Sequence, residues 1–153
     1  SWVYSLSDDN FFSKIINKAK NENSVNIVND QYGIPTSVEF LSNITLKCIE
    51  KLISDSHKKK SIMKTYHLTP DGFTTWFDFA KLFLSELEKK GIKFKSNSKK
   101  IKPIKTSDLN LMAQRPINSV LSNYEIKNDF KLSIPKWEFY VYKLIQNLYD
   151  KHK

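Results

Sequence analysis

Apolar positions along this chain follow two periods, and the clearer one is helical. Trp76, Phe79, Ala80, Phe83, Leu84 and Leu87 recur at i, i+3, i+4, i+7, i+8 and i+11, which predicts one amphipathic helix with a continuous apolar face. Thr75 and Asp78 have capping-box spacing before it, and Lys89-Lys90-Gly91 ends it with cations and a glycine. The same period predicts a helix over Phe11, Phe12, Ile15, Ile16 and Ala19, behind the polar cluster Asp8-Asp9-Asn10. A longer helix carries the stripe Leu41, Ile44, Cys48, Ile49 and Leu52 behind the pair Thr36 and Glu39. A short one spans Tyr124 to Phe130 with Ser122 as its cap. The last, introduced by Pro135, presents Trp137, Tyr140, Val141, Leu144, Ile145 and Leu148.

Between the helices the pattern shortens to strands: Ser1 to Ser5, Val25 to Val28, Ile62 to Leu68 and Ile101 to Ile104. Asn29 to Pro35 and Pro70-Asp71-Gly72 read as turns. Strands separated by helices predict a mixed α/β fold without repeats or an internal linker.

Composition narrows the class. At 153 residues, 40% hydrophobic and 13% aromatic, the chain is one domain's worth of sequence with a sizeable core, not a disordered tail. No apolar run reaches the roughly 18 residues that span a bilayer, so no membrane partner is expected. The opening Ser1-Trp2-Val3-Tyr4 has neither the basic lead nor the cleavage site of a signal peptide. It reads as a strand already under way, without an initiating methionine, so the chain is expected to be the downstream part of a longer protein. The single cysteine, Cys48, excludes an internal disulfide and suits a reducing, cytoplasmic home.

The net charge of +9 invites a nucleic-acid reading. Eight lysines lie between Lys89 and Lys105, but only Phe94 is interleaved as an aromatic. Groove and single-strand readers use arginine forks and stacking rings. The lysines are therefore read as a solvated surface, and no nucleic-acid partner is expected.

Catalytic constellations are scarce. His57, His67 and His152 have no metal-ligand spacing to a second His, Cys or carboxylate pair. Three glycines cannot build a phosphate loop, and no nucleophile elbow is present. One residue stands apart: of 25 lysines and arginines only Arg115 is an arginine, and Pro116 behind it stiffens the backbone. A planar guanidinium fork suits carboxylates and phosphates. Arg115 is either an anion clamp or a structural arginine closing a loop. Trp2, Asn10, Gln31 to Thr36 and Arg115 place flat apolar walls, amides, helix N-termini and one fork on four loops, as a nucleotide-sugar-like ligand requires.

Ser1-Trp2-Val3-Tyr4, Asn10-Phe11 and Asp30-Gln31-Tyr32-Gly33-Ile34-Pro35-Thr36 open a series of blocks. Thr65-Tyr66-His67-Leu68, Thr75-Trp76-Phe77-Asp78-Phe79-Ala80, Arg115-Pro116-Ile117-Asn118-Ser119-Val120-Leu121 and Pro135-Lys136-Trp137-Glu138 continue it. In this order, across essentially all 153 residues, they resemble the second half of the dTDP-4-dehydrorhamnose reductase family. The resemblance implies an α/β fold: the C-terminal part of a Rossmann-type extended short-chain dehydrogenase/reductase, with the last sheet strands and the small substrate-binding lobe interleaved over 1–153. It implies NADPH-dependent (or NADH-dependent) reduction of the C4 ketone of dTDP-6-deoxy-L-lyxo-4-hexulose to dTDP-L-rhamnose, for cell-surface polysaccharide.

By position, the family's glycine-rich cofactor turn and Tyr-x-x-x-Lys pair lie upstream of the blocks matched here. Tyr4 is followed four residues on by Asp8. The resemblance thus implies no catalytic residue in this chain and no competence alone, with the cofactor held mainly by the missing N-terminal part. By position it assigns Trp2, Asn10, Gln31, Thr36 and Arg115 to the substrate. Some relatives bridge dimers through magnesium, but no ligand for it is identified. Strands at Val3 and Tyr66 would join the Rossmann sheet, so a separate N-terminal half or a second copy is expected over the open edge. The alternative within the superfamily is a non-catalytic subunit like the regulatory subunit of methionine adenosyltransferase.

Overall fold

The computed structural model describes residues 1–6, 9–55, 64–109 and 115–150. The described residues form three two-stranded sheets and five α-helices. β1 (Trp2–Tyr4) runs parallel to β4 (Pro35–Ser37), with Val3 opposite Thr36. β2 (Asn26–Val28) runs parallel to β6 (Lys102–Ile104), and β3 (Tyr32–Gly33) pairs antiparallel with β5 (Thr74–Thr75). The helices are α1 (Phe11–Asn21), α2 (Val38–Asp55), α3 (Trp76–Lys89), α4 (Tyr124–Phe130) and α5 (Trp137–Asp150). A single 3-10 turn, Thr106–Asp108, follows β6.

α3 is the central helix, as its period requires. Phe79, Ala80, Phe83, Leu84 and Leu87 are all buried, packed with Tyr4, Phe12, Ile15, Ala19, Ile34, Trp137, Val141 and Ile145 in the larger core. Thr75 caps it by accepting the Asp78 N–H, and Gly91, at φ +86, carries the chain out beyond Lys90. Such a φ costs glycine little and other residues much. α5 separates two cores: Trp137, Val141, Leu144 and Ile145 face the larger one. Tyr140 turns to the smaller one, built from Phe40, Ile44, Cys48, Ile126, Phe130 and Ile134.

Three expectations need correction. Residues 64–68 form no strand; Ile62 and Met63 lie outside the described residues. The alternation there serves side chains and not a ladder. Tyr66 and Leu68 pack on the smaller core, Tyr66 meets Phe130 edge-on, and the Tyr66 hydroxyl and Lys64 Nζ both donate to Asp129. The α2 stripe leaves the core after Cys48, with Ile49 47% and Leu52 59% exposed, because the helix is longer than the surface beneath it. Its cap is Ser37, whose Oγ accepts the Phe40 N–H; Thr36 lies one residue too early, inside β4. α4 has the expected bounds, and Ser122 Oγ accepts the Tyr124 N–H, while Asn123 between them donates to Thr69 O and Asp71 Oδ1.

Candidate functional site

The polar loops singled out by sequence meet around two indoles. Trp2 lies flat on Trp76, with ring centroids 3.6 Å apart and planes 12° from parallel. Trp2 is placed by β1, whose first N–H bonds Ile34 O at 3.0 Å. Trp76 is placed as the first residue of α3, directly behind the Thr75 cap. Gly33 makes the pairing sterically feasible: a methyl group there would stand 2.5 Å from both Cζ2 and Nε1 of Trp2. Phe11 closes on Trp76 at a centroid distance of 4.3 Å.

Asn10 puts Phe11 there. Its Oδ1 accepts the N–H groups of Phe12 and Ser13, its Nδ2 donates to Ser5 O, and Ser13 completes a capping box. The side chain the sequence assigns to the ligand is thus engaged as a helix cap beside the indoles.

Gln31 is buried, at 7% exposure. Its Oε1 accepts the Trp76 Nε1–H at 3.2 Å, and its Nε2 donates to Thr106 Oγ1 at 3.1 Å. The Thr106 hydroxyl donates to Asp30 Oδ1 at 2.6 Å. Hydrogen bonds from the Thr106 side chain and backbone hold the Asp30 carboxyl below its usual range. Thr36 is fully buried, and its hydroxyl donates back to Ile34 O; it supports the wall from behind.

Arg115 is exposed. No hydrogen bond or ion pair joins its guanidinium to another described residue. Its loop is nonetheless fixed: Tyr32 donates its N–H to Ile117 O, Ser119 N–H reaches Tyr32 O, and Ser1 Oγ donates to Ser119 O. Tyr32, half-exposed beside Phe73, joins this loop to β3. The structure thus brings Trp2, Asn10, Gln31 and the Arg115 loop onto elements that touch one another.

Trp76, Thr106 and Asp30 were not singled out as site residues by sequence. Trp76 was absorbed into the α3 stripe; its position just after the cap, where a helix end faces a loop, was the available signal. A groove of about 600 Å³ between α1, the end of α3 and α5 lies elsewhere and is lined by Phe12, Ile16, Leu87, Ile92, Ile145 and Leu148.

Among the described residues no three His, Cys, Asp or Glu side chains are placed to hold a metal ion. No described helix is long and apolar enough to cross a membrane. Gly33 lies under Trp2, Gly72 (φ +83) turns the chain towards α3, and Gly91 ends α3, which leaves no glycine for a phosphate cradle.

Parallel strands joined through helices, with this loop cluster at one corner, define the C-terminal part of an extended short-chain dehydrogenase/reductase. Residues 1–150 match the RmlD substrate binding domain, and the chain belongs to that family. It is 32% identical over 149 residues to the dTDP-4-dehydrorhamnose reductase of Escherichia coli strain K12, covering 97% of this chain and 48% of that protein. The Burkholderia thailandensis reductase is 28% identical over 148 residues, covering 97% and 50%. The crystal structure of the Bacillus anthracis reductase in complex with NADP superposes with a TM-score of 0.75 at 28% identity, covering 96% of this chain and 46% of that one. The Clostridium acetobutylicum enzyme gives 0.74 at 28%, covering 97% and 46%. The chain spans about half the length of the curated relatives it matches.

Proposed function

We propose that this chain is the nucleotide-sugar-binding half of a dTDP-4-dehydrorhamnose reductase, acting in NADPH-dependent (or NADH-dependent) reduction of the 4-keto group of dTDP-6-deoxy-L-lyxo-4-hexulose to dTDP-L-rhamnose. The observation that carries the reading is the Trp2–Trp76 stack, with Gly33 in contact with the Trp2 ring and the Arg115 loop laced to the same β3 strand. A rigid indole face offers a planar base or a sugar ring a large contact at small entropic cost. Arg115, exposed and unpaired among the described residues, is free to fork onto the diphosphate. Asn10 and Gln31 hold the aromatic wall, and Thr36 supports it.

The chain's own contribution is binding and orientation: it fixes the sugar so that C4 faces the reducing half. Hydride supply and protonation fall to the N-terminal half, where the family carries its cofactor turn and Tyr-x-x-x-Lys pair, and this half alone is inactive. Its edge supports such a partner. Among the described residues β1 and β4 form a parallel pair two strands wide, and Val3 is 55% exposed; parallel sheets are normally covered and wider. A separate N-terminal half, or a second copy, covers that edge. The lone buried thiol of Cys48 fits a reducing, cytoplasmic setting.

Calorimetric titration with dTDP-L-rhamnose, followed by an NADPH-oxidation assay on the keto sugar, tests this. Binding by the chain, with turnover only after an N-terminal half is added, is the expected result. No binding of the product even in a complete two-half protein would overturn the reading.

A further inference from the structure

The carboxamide of Gln31 sits in a hydrogen-bond chain whose direction chemistry dictates. An indole N–H can only donate, so Trp76 Nε1 must meet Oε1 of Gln31, as it does at 3.2 Å. That leaves Nε2 as the donor to Thr106 Oγ1, at 3.1 Å. The Thr106 hydroxyl, having accepted, turns its own proton to Asp30 Oδ1, at 2.6 Å. The carboxylate also accepts the Thr106 backbone N–H, at 3.0 Å to either oxygen. Every member has one role, and the chain begins at the ring on which Trp2 lies.

We infer that Gln31 is a positioning residue: through Trp76 it sets the plane of Trp2, and Asp30 and Thr106 set Gln31. This rests on Trp2 being the sugar-facing wall. It moves Gln31 from the ligand's contacts to the support behind them, because both ends of its amide are taken and it is almost wholly buried. Three loops distant in sequence, those of Asp30-Gln31, Trp76 and Thr106, thereby act on one surface. Phe11 grips the same indole from another side, so a rotated Trp76 has no second seat of equal quality. The chain specifies an orientation, and orientation of a binding wall is worth more to a reaction than its area.

Two stacked indoles couple their transitions and give a circular-dichroism couplet that needs no ligand. The couplet is read in the unliganded chain, and the Kd for dTDP-L-rhamnose in the complete protein. Gln31→Met removes both hydrogen bonds at nearly constant volume; it should shrink the couplet and raise Kd roughly tenfold. Gln31→Glu keeps an acceptor for the indole but cannot donate to Thr106, so its couplet should match that of Thr106→Val. Trp2→Phe is the control that abolishes it. Thr106→Val breaks the chain from its half-exposed end and should reproduce the Gln31→Met spectrum even where Gln31→Met folds poorly. An unchanged couplet in both Gln31→Met and Thr106→Val would overturn the inference. A couplet lost as expected, with no sugar bound by the unsubstituted protein, would sink the functional reading while leaving the positioning chain in place.

Discussion

Gly33 and Trp2 are in direct contact: the Trp2 indole occupies the space a side chain at position 33 would need, with Cζ2 and Nε1 each 2.5 Å from the site of an added methyl. Contacts that short do not survive, and the neighbouring atoms are a rigid ring packed against Trp76. The glycine is required here for the space above its Cα, since it is Gly72 and Gly91, not Gly33, that have positive φ.

Gly33→Ala should therefore displace Trp2 from Trp76. Expected are loss of the indole couplet and roughly tenfold weaker binding of dTDP-L-rhamnose in a complete protein, with Tm lowered because overpacking costs about 1–3 kcal/mol. Circular dichroism and calorimetry on the same sample check it. Retention of the couplet would mean that the ring finds room by sliding.

Asn10 gives a cleaner separation of stability from binding. Its Oδ1 takes two N–H groups of the first turn of α1, and its Nδ2 holds Ser5 O. Loss of an N-cap costs about 1 kcal/mol, and loss of the second anchor about another. Asn10→Ala should lower the urea midpoint accordingly. Asn10→Asp, which keeps the acceptor and places a negative charge at the helix N-terminus, should recover about half of the loss. Equal midpoints for Asn10→Ala and Asn10→Asp would show that the Ser5 anchor carries the whole effect.

The legible part of the fold was whatever one buried face could enforce. The α3 period survives intact because every apolar position in it meets a core on one side. The stripe of α2 reads equally well and is half wrong, because periodicity records an apolar face and not how far the surface beneath it extends; Ile49 and Leu52 run past Cys48 into the open. The alternation at 64–68 misleads for a related reason. Tyr66 and Leu68 alternate to reach a helical core, without a neighbouring strand. At the site, single residues were visible through their chemistry, Arg115 by its singularity and Asn10 by its capping type. What joins them was not. The path Asp30, Thr106, Gln31, Trp76 closes over a separation of 75 residues between Gln31 and Thr106, and one sequence carries no signal for such a contact.

Acid should act at Asp71. Its backbone bonds Pro135 O and Trp137 N, and its carboxylate receives Asn123 Nδ2 and Lys127 Nζ, so it ties the turn before β5 to α4 and α5. Burial pushes its pKa up, but the hydrogen bonds from Lys127 and Asn123 and the Lys127 charge outweigh this and leave it below the usual carboxylate value. A folded-state pKa that is depressed contributes stability above the unfolded value, about 3.9, and loses it as pH falls through the folded one. Asp71→Asn should thus be less stable than the parent at neutral pH by about 1 kcal/mol, the scale of a partly exposed pair. At a pH low enough to protonate Asp71 in the folded state the two should converge. Urea midpoints at both pH values test the sign; a gap that stays constant would remove Lys127 from the account.

Arg115 divides the two roles its singularity left open. A structural arginine is buried or tied into its surroundings, and its replacement is felt as instability. This one is exposed, on a loop that Tyr32 and Ser1 already hold through the backbone of Ile117 and the N–H and C=O of Ser119. Its guanidinium adds nothing visible to that hold. Arg115→Lys keeps the charge and removes the planar fork, so in a complete reductase it should raise KM for the dTDP-sugar several-fold. It should leave kcat nearly unchanged if the fork binds ground and transition states alike. Tm should shift by less than the equivalent of about 0.5 kcal/mol, as for surface replacements. Arg115→Ala, losing the charge as well, should raise KM further at the same Tm, and the increment between the two variants should shrink with added salt. A large fall in Tm at constant KM would return the residue to a structural role and leave the diphosphate to be held by other groups.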